Sequence, residues 1–178
     1  MAKKHLAVFL DRDGTIVEDR GYIRHPSEII FYPESFSALN MLQEHFLLFI
    51  ITNQSGISKG LTTESEVQQV NNYVIEILKK EGITIRDIFS CPHKTEDNCA
   101  CKKPKPYFIN KAVESYDLNP AESFILGDHP SDVLCGINAG VQPIYLLTGH
   151  GIKHRHELTE EVTICSNILE AAYYITGK

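Results

Sequence analysis

The segment FLDRDGTI, Phe9 to Ile16, decides how this chain reads. An apolar run, Leu6 to Leu10, leads straight into two carboxylates one residue apart, Asp11 and Asp13, with Gly14 and Thr15 behind them. Such a run suits a strand covered on both faces. Two neighbouring acids at its end raise each other's protonation cost unless a cation or a substrate offsets them. The pair points to a magnesium site with a nucleophile in it. The plainer alternative is an acidic turn after a strand.

The same alternation of apolar runs and amphipathic stretches continues outward from this segment. Strands are predicted at Leu6–Leu10, Leu47–Thr52, Asp87–Cys91, Ser123–Gly127 and Gln142–Leu147, with a weaker one at Val162–Ser166. Helices are predicted at Ser35–His45, Glu64–Glu81, Pro106–Tyr116, Ser131–Ala139 and Ile168–Thr176. In the second helix, Thr63 and Glu66 have capping-box spacing, and Gly82 can end it. Val67, Val70, Val74, Ile77 and Leu78 form one stripe there, read as core packing. This order predicts an α/β fold, a doubly wound, Rossmann-like parallel sheet, in a single domain over residues 1–178.

In open sheets of this kind, ligands sit beyond the carboxyl ends of the strands. Asp11 and Asp13 follow the first predicted strand, Thr52 and Asn53 end the second, and Asp128 and Asp132 follow the fourth. Lys102 and Lys103 precede the helix after the third. Hydrolysis of a phosphate monoester needs positive charge on the equatorial oxygens, an in-line nucleophile and an acid for the leaving oxygen. Asp11 is the candidate nucleophile, forming an aspartyl phosphate. Asp13 is the candidate acid and base. Magnesium would be held by Asp11, Asp128 and the backbone carbonyl of Asp13. Thr52 would donate to the phosphoryl group and Lys103 would neutralise it. Each residue also has a plain reading. Thr52 could be a strand-end hydroxyl, Lys103 a solvated lysine, and Asp128 and Asp132 helix caps.

Cys91-Pro-His93 and Cys99-Ala-Cys101 supply three thiolates and an imidazole, a set that fits a closed, structural zinc site. The alternative is three buried or free cysteines beside a surface histidine. Lys102 and Lys103 follow at once, so zinc in a loop at about 91–106 would pin the segment that delivers Lys103. Cys135 and Cys165 read as small core residues.

The totals narrow the class. The chain has 178 residues and five cysteines. Three of those cysteines crowd into the loop just described, which suits a reducing, cytoplasmic setting rather than disulfides. The start, MAKKHLAVFLDRDG, carries no small-residue cleavage site after its apolar part, so no secretion signal is expected. No apolar run is long enough to span a membrane. The net charge of −6 speaks against nucleic acid as partner. A phosphoryl-accepting receiver module would leave Asp13 unexplained, and a zinc-dependent nucleic-acid binder would leave Asp11, Asp13 and Asp128 unexplained.

D-x-D-G-T after a strand, then I-T-N, K-P and G-D-x-x-x-D, resembles the haloacid dehalogenase superfamily of aspartyl-phosphate hydrolases. The motifs run from Phe9 to Asp132. The resemblance implies the roles given above, a central Asp11 strand, magnesium at Asp11, Asp13 and Asp128 with Asp132 behind them, and zinc at Cys91, His93, Cys99 and Cys101. Such proteins often insert a cap after the first or second motif. Neither interval here has room for one, which predicts a capless, open site walled by the Glu18 to Pro26 loop and the zinc loop.

The zinc loop narrows the resemblance to the D-glycero-D-manno-heptose-1,7-bisphosphate 7-phosphatase family and, as the alternative, the histidinol-phosphatase family. Asp19-Arg20-Gly21-Tyr22, Thr52-Asn53-Gln54-Ser55-Gly56-Ile57 and Thr148-Gly149-His150-Gly151 are closer to the first. The five-residue gap in the zinc loop is closer to the second. By resemblance, Arg12, Asp19, Arg20, Gly21, Tyr22, Asn53, Gln54, Ser55, Lys102 and His129 would face a small phosphorylated sugar. A monomer in lipopolysaccharide heptose biosynthesis is implied. Lys102 stands where an arginine is expected, trading a planar fork for a point charge. His129 stands where the heptose enzymes tend to have lysine, trading a fixed cation for a titrating group.

Overall fold

β1 (Ala7–Leu10) is buried along its whole length and lies between β2 (Leu47–Asn53) and β4 (Phe124–Gly127). β3 (Ile85–Cys91), β5 (Gln142–Leu146) and β6 (Thr163–Cys165) complete a parallel sheet in the order β3-β2-β1-β4-β5-β6. The computed structural model describes residues 4–178; the first three residues of the basic start lie outside it. β3 begins two residues before the predicted Asp87, because Ile85 pairs with Leu48 ahead of a register shift.

The helices cover both faces. α1 (Ser35–Gln43), α2 (Glu64–Lys80) and α6 (Ile168–Thr176) pack Leu39, Leu42, Val74, Leu78 and Ala171 against Val8, Leu10, Leu48 and Ile50. α3 (Tyr107–Tyr116) and α4 (Pro130–Ala139) pack Ile109, Ala112 and Cys135 against Phe9, Phe49 and Ile51 on the other face. Successive residues of β1 thus feed opposite cores, which is why it reads as unbroken apolar sequence. Thr63 and Glu66 form the expected capping box of α2, and Gly82, at φ +76°, follows its end. A short helix unread in the sequence, α5 (Gly151–His154), follows β5.

Chain order reverses between β1 and β4, the two strands that end in acids. This opens a crevice at their carboxyl ends, where doubly wound sheets bind ligands. Between β1 and α1 the chain forms one 3-10 turn, Pro26–Glu28, and between β2 and β3 only α2, so neither interval holds a cap. No helix among the described residues is long and apolar enough to cross a membrane.

Candidate active site

A cavity of about 700 Å³ lies at the crevice. Its walls include Asp11, Asp13, Asn53, Lys103 and Asp128 from the strand ends, and Asp19, Gly21 and Tyr22 from the loop after β1.

Lys103 anchors the floor. Its Nζ lies 3.0 Å from Asp11 Oδ1 and 2.5 Å from Asp132 Oδ1, and donates to the Ile51 carbonyl at 2.9 Å. The contact to Asp132 is an ion pair off the line of an aligned hydrogen bond. Burial opposes the ammonium, but Asp11 and Asp132 outweigh it and raise the Lys103 pKa. Asn53 grips the lysine's backbone, accepting from its N–H at 3.1 Å and donating to its carbonyl at 3.3 Å.

Three carboxylates, Asp11, Asp128 and Asp132, bring oxygens within 4.8 Å of one another. Burial pushes Asp11 up to about 7 and Asp128 up to about 8, with Asp132 adding to both. One lysine does not neutralise three acids, and the excess is what a dication would cancel. Glycine backbone makes room for the Asp128 carboxylate. A Cβ on Gly14 would sit 2.1 Å from Asp128 Oδ2, and one on Gly149 2.2 Å from the same atom. Asp128 Oδ2 accepts from the His150 N–H, and Asp11 Oδ1 accepts from the Arg12 N–H. Among the described residues, Asp11 Oδ2 and Asp128 Oδ1 have no hydrogen-bond partner and are open to a metal. Asp132 has both oxygens engaged, by Lys103 and by the His129 N–H at 3.1 Å, so it backs the lysine instead.

Asp13 stands apart from this group. Its carboxylate accepts from Arg12 Nε at 3.1 Å, Arg12 Nη2 at 2.8 Å and Gln54 Nε2 at 2.9 Å. Arg12 and Gln54 therefore hold this carboxylate in place, and a metal would take the backbone carbonyl of Asp13 instead. Gln54 also donates to Thr52 Oγ1 at 2.8 Å, and Thr52 is 2% exposed behind it.

Two expected substrate contacts need correction. Arg12 is fully buried and spends its guanidinium on Asp13 and Asn71, so it cannot touch a substrate. Arg20 does not line the cavity; its half-exposed side chain lies 4.0 Å from Glu18. Asp19, Gly21, Tyr22, Asn53, Gln54, Ser55, Lys102 and His129 do line it. His129 also caps α4, with its Nδ1 accepting from the Ser131 N–H, and burial lowers its pKa.

Six further residues line the cavity outside the expected set: Thr95, Pro104, Ser131, His150, Lys153 and His154. His150 Nε2 lies 3.0 Å from Asp19 Oδ2, tying the two rims of the cavity together. The signal was Thr148-Gly149-His150 at the end of β5, a fifth strand end open to the rule applied to the others.

The Cys/His cluster sits beside this cavity. The Sγ atoms of Cys91 and Cys99 are 3.6 Å apart, those of Cys99 and Cys101 3.7 Å, and those of Cys91 and Cys101 3.1 Å. His93 Nδ1 is 3.7 Å from Cys91 and 3.5 Å from Cys101. Tetrahedral zinc with bonds of about 2.3 Å has edges of about 3.8 Å, so most of these spacings fit one ion. The loop itself has little core, with a 3-10 turn at Thr95–Asp97 and Asn98 at φ 46°.

The family described as HAD-hydrolase-like matches residues 100–171. A D-glycero-beta-D-manno-heptose-1,7-bisphosphate 7-phosphatase from Helicobacter pylori is 38% identical over 98% of this chain and 99% of its own. A protein of that name from Haemophilus ducreyi is 35% identical over 93% of this chain and 95% of its own. A crystal structure of D,D-heptose 1,7-bisphosphate phosphatase from B. bronchiseptica, complexed with magnesium and phosphate, superposes with a TM-score of 0.89. It covers 97% of this chain and 98% of its own at 29% identity.

Proposed function

The chain belongs to the haloacid dehalogenase-like family of heptose-bisphosphate phosphatases, and from that premise we propose that it removes the 7-phosphate from D-glycero-D-manno-heptose 1,7-bisphosphate. The reading takes the whole chain as one phosphatase domain with a zinc loop at about 91–106, working as a cytoplasmic monomer.

The observation that carries it is the convergence of Asp11 after β1, Asp128 and Asp132 after β4, and Lys103 from the loop after β3 onto one floor. One carboxylate oxygen of Asp11 attacks phosphorus, and the bond from phosphorus to the sugar oxygen breaks. Asp13 gives its proton to the leaving alkoxide, and the product sugar departs. Asp13 then takes a proton from water as that water attacks the aspartyl phosphate. Inorganic phosphate leaves and Asp11 is regenerated. Lys103 balances the charge on Asp11 and on the phosphoryl oxygens throughout. Magnesium, held by Asp11, Asp128 and the Asp13 carbonyl, would offset negative charge on the phosphoryl group. Zinc at Cys91, His93, Cys99 and Cys101 would be structural, since four ligands leave no position for water. The cavity suits a sugar with a second anionic group, because Lys102, Lys153 and His150 stand on its walls.

Turnover of heptose bisphosphate, histidinol phosphate and common sugar phosphates by purified protein with magnesium tests the reading. Release of phosphate from the bisphosphate at least about tenfold faster than from the others is expected. A preference for histidinol phosphate would overturn the substrate, and no phosphomonoester turnover would overturn the class.

A further inference from the structure

α2 carries one polar residue into the core that its amphipathic stripe does not explain. Asn71 is 2% exposed among Val67, Val70 and Val74. Its Oδ1 accepts from Arg12 Nη1 at 2.6 Å, and its Nδ2 donates to Ser90 Oγ on β3 at 2.9 Å. A guanidinium only donates, so the amide has one possible orientation. Arg12 in turn grips both oxygens of Asp13. A continuous polar strut therefore runs from β3 through α2 to the acid at the cavity.

Packing alone does not call for this. A buried ion pair with its polar support is often no more stabilising than apolar residues of similar volume. What the strut does is hold one carboxylate plane still. Oδ2 of Asp13 accepts from both Arg12 Nη2 and Gln54 Nε2, which uses both of its lone pairs. Oδ1 accepts only from Arg12 Nε among the described residues, and so keeps one lone pair free.

We propose that Asn71, acting through Arg12, is a positioning residue that orients Asp13 for proton transfer, with Oδ1 as the atom that carries the proton. The inference rests on the phosphatase reading above. Asn71→Leu removes the support while keeping the volume. Arg12 then loses one partner and Asp13 loses its alignment, and misplacement of a reacting group by about 1 Å can cost on the order of 10²-fold.

The test is leaving-group dependence. An alkoxide needs the proton of Asp13 to depart, whereas p-nitrophenolate leaves without it. In Asn71→Leu, turnover of a sugar phosphate should fall about 10²-fold with KM within about threefold. First-turnover release of p-nitrophenolate from p-nitrophenyl phosphate should stay within about threefold of wild type. Asn71→Asp keeps an acceptor for Arg12 and should restore most of the sugar-phosphate rate. If Asn71→Leu does not fold, Asn71→Ser, which leaves room for water, should show the same split. An equal fall on both substrates would mean a merely structural role and overturn the proposal. So would an unchanged sugar-phosphate rate in a folded variant. A wild-type protein that hydrolyses neither ester would instead remove the phosphatase reading, a failure visible before any variant is made.

Discussion

The two clusters of side chains that could hold a metal ion are built in opposite ways. Asp11 and Asp128 follow two adjacent strands far apart in sequence, Asp132 lies on the helix after the second, and the sheet sets their spacing. Cys91, His93, Cys99 and Cys101 come from one loop with little core of its own. The first cluster spends fold stability to crowd acids together; the second has little core of its own, so an ion bound there would add to its stability. They meet at Lys103, two residues past Cys101 and 3.0 Å from Asp11.

That contrast predicts which lesions strike chemistry and which strike folding. Asp11→Asn should lower turnover by at least about 10³-fold while the melting temperature holds or rises, because a crowded, desolvated charge has been removed. Near-normal activity would reject Asp11 as the nucleophile. Cys99→Ser should do the reverse in order of cause. Zinc content should drop, the melting temperature should fall by roughly 10 °C, and activity should follow as Lys103 loses its anchor. Unchanged zinc by elemental analysis would show the ligand set to be wrong.

A subtler effect concerns pH. Asp11 at about 7 and Asp128 at about 8 lie above their ordinary 3.8, so the folded, metal-free protein binds protons that the unfolded chain has already lost. Its stability is greatest below about pH 4 as far as these two groups are concerned, and is lost as pH rises through 7 and 8. Thermal melts in magnesium-free buffer without chelator should therefore fall between pH 5 and pH 8, and added magnesium should restore more at pH 8 than at pH 5. A flat profile would mean the acids are not crowded in solution. The smallest effect is expected for Lys102→Ala, which removes a cation from the cavity wall and leaves the floor intact. KM for a sugar bisphosphate should rise by about tenfold with kcat within about twofold. A fall in kcat alone would place Lys102 with the reacting phosphoryl group instead.

Much of the site was legible because the chemistry sits at strand ends, and strand ends are marked by an apolar run meeting polar residues. Asp11 and Asp128 stand just beyond such ends, and the fold brings Lys103 to them. Arg12 is not legible as buried, because a charged residue between two acids looks like part of the same polar surface. Asn71 was hidden for a related reason: in a helix with Val67, Val70 and Val74 around it, a lone amide carries no sequence signal of its partner fifty-nine residues away. His150 and Lys153 were passed over because the α5 turn that presents them is too short to show a period.

From the chain alone came the parallel sheet, the acids that end its strands and the local set of thiols, because periodicity and short spacing are properties of neighbouring residues. Which oxygen of Asp13 is free, which way Arg12 turns and which histidines reach the cavity were decided only by folding. Those outcomes depend on atoms from distant segments competing for the same few ångströms, and no local pattern records that competition.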